Sequence, residues 1–180
     1  SDVCSSDLWT VPGSTPQKDI RRFSAAFHKR AGVRPNVLVI TPDVEDVLLE
    51  HDTLKDLLGD SKDKLLTREM LANLLGVGRI YVPDVLENKA EPGLPVDLDY
   101  IYRDACALLL YAAPSPSLTR PSALYTFNWT GLIPGQTNDY GAVLEYYRLD
   151  PDHTDHWQIR NAYSMKIVAQ DYGVFLDQVI

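Results

Sequence analysis

The one compact group of metal-ligating side chains in this sequence is His153, Asp155 and His156, with Asp152 beside them. Two histidines three residues apart meet on one face of a helix, where they could share a divalent cation. Pro151 and the alternating residues on either side argue instead for a turn between strands, and a defined zinc signature would need further ligands at recognised spacing. The expectation is therefore a polar turn. Paired carboxylates occur at Glu45–Asp46, Asp97–Asp99 and Asp150–Asp152. General acid–base work needs such a pair held in a pocket, and in an acidic chain the pairs arise readily as solvated surface.

Other chemistry-bearing patterns are missing. There is no G-x-S-x-G, no phosphate-cradling glycine loop and no H-E-x-x-H. Gly76-Val77-Gly78 lacks the third glycine of a dinucleotide fingerprint and reads as a helix stop. His28 and His51 read as surface-leaning helical positions with no nucleophile beside them. Cys106, inside the apolar run 105–111, reads as a buried free thiol, and two cysteines (Cys4 is the other) are too few for a disulfide scaffold. No catalytic, cofactor-binding or metal-ligating residue is assigned on this basis, no cofactor is expected, and the chain reads as a non-enzyme.

Composition points the same way. Over 180 residues, 45% are hydrophobic and 23% charged, enough for one domain or two small lobes around a core. The formal charge of −8 disfavours a dedicated nucleic-acid binder, which needs clustered cations to neutralise phosphates. No apolar run reaches the roughly 20 residues that span a bilayer. Residues 1–8, SDVCSSDL, show no periodicity and match a translation of the end of a common short-read sequencing adapter. They are set aside from fold reasoning as a scar would be, and the rest is expected to be a piece of a longer gene. The acidic balance survives their removal.

The elements that must position any site follow from periodicity. Thr15 as cap, Pro16 in the first turn and Asp19 near the positive end open a helix with Ile20, Phe23 and Phe27 as its stripe, Ala26 and Ala31 alongside, and Gly32 as its stop. Its cations Arg21, Arg22, Lys29 and Arg30 read as a solvated face. Arg34-Pro35-Asn36 turns into a buried strand at Val37–Ile40. Thr41-Pro42-Asp43 opens a second helix, carried by Val44, Val47, Leu48, Leu54, Leu57 and Leu58, with a break near His51-Asp52 and a polar loop at 60–64. Thr67 caps a third helix with Met70, Leu71, Leu74 and Leu75 inward, stopped by Gly76. Residues 79–82 read as a strand, 83–97 as a loop or short arm, 106–112 as a strand and 114–121 as an extended crossing. Residues 124–129, 143–148 and much of 157–168 read as antiparallel strands, with a loop tip at 135–141 and a turn at 150–153. Tyrosines and tryptophans concentrate on these strands, where a sheet core is expected to take about half and subunit contacts the rest. The order is helix, strand, helix, helix, then strands, which is mixed α+β.

Four blocks in order carry a family resemblance over residues 9–180. They are Trp9…Thr15-Pro16…Asp19-Ile20 with Gly32…Arg34-Pro35-Asn36 and Pro42-Asp43-Val44; the segment Leu66-Thr67…Ile80-Tyr81-Val82; the aromatic strand from Pro121 through Trp129 to Gly131; and Asn161-Ala162-Tyr163…Asp171-Tyr172-Gly173. Together they resemble the C-terminal part of major capsid proteins of tailed phages and prophages. The resemblance implies the Hong Kong 97-type coat fold, α+β, with a spine helix and peripheral sheet plus a mixed axial lobe. It places the spine-helix part of the peripheral domain at 9–34, mainly axial domain at 35–140, and C-terminal strands running from axial to peripheral domain at 141–180. The family's N-terminal arm and extended loop would precede this region. The implied function is a structural subunit that assembles with copies of itself into rings of five and six around packaged DNA, without sequence-specific grip. Scaffolding, portal or decoration proteins would be further partners, and the implied location is the virion, assembled in the host cytoplasm. The alternatives are an encapsulin-like compartment shell, to be told apart by gene neighbours, and a small metal-dependent enzyme built on His153, Asp155 and His156, to be told apart by bound zinc. Upstream DNA encoding an arm and hairpin loop in frame would favour the capsid.

Overall fold

A computed structural model of the chain describes residues 8–11, 13–57, 66–102, 105–117, 119, 121–129, 131–132, 142–151 and 153–180. The segment read as translated adapter therefore lies, except for Leu8, outside the described residues, as do the expected loops at 60–64 and 135–141 and residue Leu58. The chain divides into two compact units, residues 1–123 with 169–180, and residues 124–168.

In the first unit, helix α1 (Pro16–Ala31) begins with proline in its first turn and ends at Gly32, whose φ of 71° is a left-handed value that glycine adopts without penalty. Ile20, Phe23 and Phe27 are buried as their spacing requires, while Ala26 is exposed. Arg21, Arg22 and Lys29 are solvated; Arg30 instead donates to the carbonyls of Asp171 and Gly173, tying the end of α1 to the chain's last strand. Thr15 occupies the cap position but makes no side-chain cap bond.

Strand β1 (Val37–Ile40) leads to α2 (Pro42–Glu50), α3 (Asp52–Asp56), α4 (Arg68–Leu75) and β2 (Arg79–Tyr81), which pairs parallel to β1 after this helical crossover. A hairpin of β3 (Leu86–Asn88) and β4 (Leu98–Tyr100) follows. Strand β5 (Ala107–Leu110) and the C-terminal β10 (Gly173–Leu176) complete a four-stranded sheet in the order β10-β5-β1-β2, antiparallel except at β1/β2. On its helix-covered face Val174, Leu109, Leu38 and Ile80 line up across the strands and join Ile20, Leu48 and Leu71 in the main core. The opposite face carries the row Phe175, Leu108, Val39 and Tyr81, whose outer members are exposed.

Several sequence expectations need correction here. The segment 83–97 holds β3 rather than loop alone: no apolar alternation marks Leu86-Glu87-Asn88, and its pairing to β4 creates the strand. Met70 and Leu57 sit on helical stripes by spacing yet are exposed, because α4 and α3 are short and turn only one side toward the core. Cys106 is half-buried, since β5 begins one residue later. His51 is not helical but the extended linker between α2 and α3; its Nδ1 accepts from the Thr53 amide, and its Nε2 lies 2.8 Å from Ser14 Oγ. Because Nδ1 accepts, Nε2 carries the proton and donates to Ser14. The Thr41 side chain makes no cap bond to the helix it precedes, and its buried hydroxyl has no partner among the described residues. Thr67 does cap, accepting from the Met70 amide at 3.4 Å.

One buried carboxylate is tied across the helices. Glu45 accepts from Arg68 Nε at 2.5 Å and Nη2 at 2.7 Å, a two-pronged pair that joins α2 to the first turn of α4. This bond raises the Arg68 pKa above its ordinary value, and since the guanidinium is charged in both folded and unfolded chains the shift itself brings no pH window. Glu45→Gln, which keeps the shape and removes the charge, is expected to cost about 1–2 kcal/mol in urea unfolding, at the low end because Arg68 remains half in water. On the β3–β4 hairpin, Asp99 lies below the usual carboxylate pKa because Lys89 and then the Tyr100 amide hydrogen-bond it. A depressed carboxylate stabilises the folded form above its unfolded pKa and loses that contribution as pH falls through the folded one. Carboxyl NMR titration should show an Asp99 midpoint below that of an unfolded reference, moving back toward it in Lys89→Ala.

Candidate assembly surface

The second unit is built from strands β6 (Leu124–Asn128), β7 (Ala142–Leu149), β8 (Thr154–Asn161) and β9 (Tyr163–Ile167). Alternation of apolar and polar residues makes them strands, and β7 folds back onto β8 between Leu149 and Thr154, which pair. His153 takes a positive φ of 50° in that turn, as a tight reversal demands. Strands β6 and β9 pair antiparallel from Leu124↔Ile167 to Asn128↔Tyr163, so the unit is one hairpin excursion. None of its described residues is buried.

Register sorts the β7–β8 ribbon into two faces. One carries Val143, Glu145, Tyr147 and Leu149 opposite Arg160, Gln158, His156 and Thr154. This face satisfies itself: Glu145 pairs with Arg160, Tyr147 stacks on the His156 ring at 5.3 Å, and His156 Nε2 lies 3.0 Å from Thr154 Oγ1. The other face carries Leu144, Tyr146, Trp157 and Ile159, which are 62%, 54%, 69% and 73% exposed. Tyr146 and Trp157 touch with centroids 4.7 Å apart, and past them Arg148 faces Asp155 at 4.0 Å. Ribbon β6–β9 repeats the pattern, with Leu124, Met165, Ile167 and Tyr163 exposed on one side.

This geometry disperses the sequence's candidate metal ligands. Asp155 and His156 are strand neighbours and point to opposite faces. Asp155 is engaged by Arg148 and by the Tyr146 hydroxyl at 3.1 Å, His156 by Tyr147 and Thr154, and His153 lies exposed in the turn; Asp152 is outside the described residues. Among the described residues no three histidine, cysteine or acidic side chains converge to hold an ion. The acid pairs separate too: Glu45 is buried on Arg68 while Asp46 is exposed, and Asp99 is bonded to Lys89. Gly76 ends α4, and Gly78 lets the backbone approach Asn36.

The strand aromatics also differ from expectation. None forms a buried sheet core: Phe127, Trp129, Tyr146, Tyr147, Trp157 and Tyr163 are exposed, and Tyr100, Tyr102, Tyr111 and Tyr125 are half-buried. Among the described residues the buried aromatics are Trp9, Phe23 and Phe27, from the N-terminal segment and α1. In the first unit a concavity of about 280 Å³ between Trp9, Val11, Val47 and Glu50 is occupied at its rim by His51, already bonded to Ser14 and Thr53. No described helix is long and apolar enough to cross a membrane.

No protein-family model and no curated protein matches the sequence. Solved structures do match in fold. A phage-related protein from Bordetella bronchiseptica RB50 superposes with a TM-score of 0.78 at 20% identity, over 99% of this chain and 56% of its own. A protein of Escherichia coli CFT073, provisionally described as a prophage capsid protein, superposes at 0.50 with 13% identity, over 94% of this chain and 49% of its own. The chain thus spans about half the length of the structures it matches, and it shares their mixed α+β fold.

Proposed function

We propose that this chain is part of the coat subunit of a tailed phage or prophage, a structural protein that assembles with copies of itself into a closed icosahedral shell around the genome. The observation that carries the proposal is the fold it shares, nearly end to end, with a phage-related protein. The exposed apolar ribbon of the second unit supports it, since a two-stranded ribbon alone is marginal in water and gains stability once a neighbour covers it. Within this proposal the fold is of the Hong Kong 97 type, with α1 as the spine in a peripheral part at 9–34, a mainly axial part at 35–140 and returning strands at 141–180. The acidic chain encloses DNA by surrounding it rather than by binding its phosphates. Rings of five and six arise from many weak repeated contacts. Scaffolding, portal or decoration proteins would be its other partners, and the virion its location.

The test is expression of the complete gene from which this chain comes, followed by electron microscopy and sedimentation. Closed shells of uniform size are expected. A protein that stays monomeric at high concentration overturns the proposal.

A further inference from the structure

We propose that the apolar face of the β7–β8 ribbon docks on the same face of a second copy of this chain, about a two-fold axis that runs along the ribbon between its strands. The proposal rests on the shell reading for its setting and names one contact within it.

Three observations lead there. First, the ribbon is amphipathic in the sense opposite to its surroundings: its polar face is internally paired, and its apolar face, Leu144, Tyr146, Trp157 and Ile159, is left more than half exposed. Second, the charges at the turn end of the face are patterned. Within the paired strands Arg148 on β7 is the cation of this face and Asp155, directly opposite on β8, its anion, and Asp150, just past β7, also lies 3.9 Å from Arg148. A partner rich in phosphate or carboxylate finds no cationic cluster there, and both described acids are already engaged by Arg148. Third, the pattern is complementary to itself. A two-fold along the ribbon exchanges the β7 and β8 sides while keeping the turn end in place. It sets Arg148 of one copy over Asp155 of the other, twice, so that four charges alternate in sign around a square. The same operation lays Tyr146 over Trp157 and Leu144 over Ile159, an aligned packing of two twisted ribbons about 10 Å apart. An axis across the ribbon would instead oppose Arg148 to Ala142 and leave the charges unmatched.

The size of the face sets the strength. Eight residues per strand at about 3.4 Å each give a length of about 27 Å, and with a width of about 10 Å the footprint is on the order of 300 Å² per copy. That is below what holds a stable isolated dimer and suits a contact repeated many times in an assembly.

The experiment uses sedimentation equilibrium of the 180-residue chain at near-millimolar concentration, with circular dichroism as a check on folding. Trp157→Lys should abolish self-association. Arg148→Glu and Asp155→Arg should each weaken it about ten-fold or more, because each places like charges opposite one another in both halves of the contact. Mixing the two variants restores both pairings. In one half of the mixed dimer the glutamate introduced at position 148 faces the arginine introduced at position 155. In the other half the unaltered Asp155 of the first variant faces the unaltered Arg148 of the second. Association in the equimolar mixture should therefore return to within about three-fold of the parent. Weakened variants that do not rescue each other overturn the self-docking, as does an undiminished association of Trp157→Lys. Shells formed by the complete protein carrying Trp157→Lys would leave the coat reading standing and sink this contact. Ribbon-mediated dimers with no shells from the complete protein would do the reverse.

Discussion

Trp9→Ala is expected to destabilise the first unit by about 3–5 kcal/mol, read as a lower urea midpoint for the helical circular dichroism signal. Trp9 is 1% exposed and belongs to the main core with Ile20, Leu48 and Leu54. Its amide donates to the Val179 carbonyl at 2.8 Å, and the Val179 amide donates in turn to Ala105. The indole thus fills the space where the segment before α1 meets the chain's last residues, both against the main core. Alanine there removes the whole ring and leaves a cavity that backbone held from several directions cannot fully close. Trp9→Phe makes a sharper comparison. The indole Nε1 is buried without a hydrogen-bond partner among the described residues, so phenylalanine loses some contact area but also removes a desolvated donor. A cost of about 1 kcal/mol is expected for it. Equal costs for the two substitutions would contradict the burial of this ring.

Asn36→Leu is expected to cost about 2 kcal/mol, with a local signature that a packing defect would lack. The Asn36 side chain donates to the Ala112 carbonyl at 2.7 Å and accepts from the Ala112 amide at 2.8 Å, acting as one more residue of the β1–β5 ladder where the strands have ended. Its backbone carbonyl accepts from both Gly78 and Arg79, seating β2 on the other side. Leucine is close in size but leaves the Ala112 donor and acceptor unpaired at a half-buried position, where water replaces part of the loss. Amide exchange should quicken first at Ala112, while Gly78 and Arg79, bonded to the Asn36 backbone, stay protected to higher denaturant. Simultaneous loss of protection at all three would mean that the side chain holds the whole turn. Gly78→Ala attacks the same junction from the other side, because a Cβ there would sit 3.0 Å from the Asn36 carbonyl oxygen.

Local signals accounted for most of the elements. Proline in the first turn and glycine after the last bound α1, the αL glycine at 76 bounds α4, and the break at His51 separates α2 from α3. These are short-range effects of backbone sterics and hydrogen bonding, which depend on a residue and its near neighbours. Strand β3 escaped notice because Leu86-Glu87-Asn88 has no pattern of its own and exists by pairing to a segment further along the chain. Asn36 read as a turn residue; that its amide spans to Ala112 depends on a strand met only after a long stretch of chain. The break near His51 was legible, but the link its side chain closes to Ser14 depends on the segment before α1 and is not contained in the period.

The candidate site divides in the same way. The spacing of His153, Asp155 and His156 already pointed to a turn and strand in place of a ligand cluster, since alternation sends neighbours to opposite faces wherever a strand forms. The alternation of 143–148 and 157–168 likewise determined that each strand has one apolar side. Which apolar sides are covered was decided only by the tertiary structure. Leu38 and Leu109 on β1 and β5 lie beneath helices, while Trp157 and Ile159, in an equally regular strand, face solvent. Period records which residues share a face; what lies against that face is set by distant parts of the chain, or by another chain altogether.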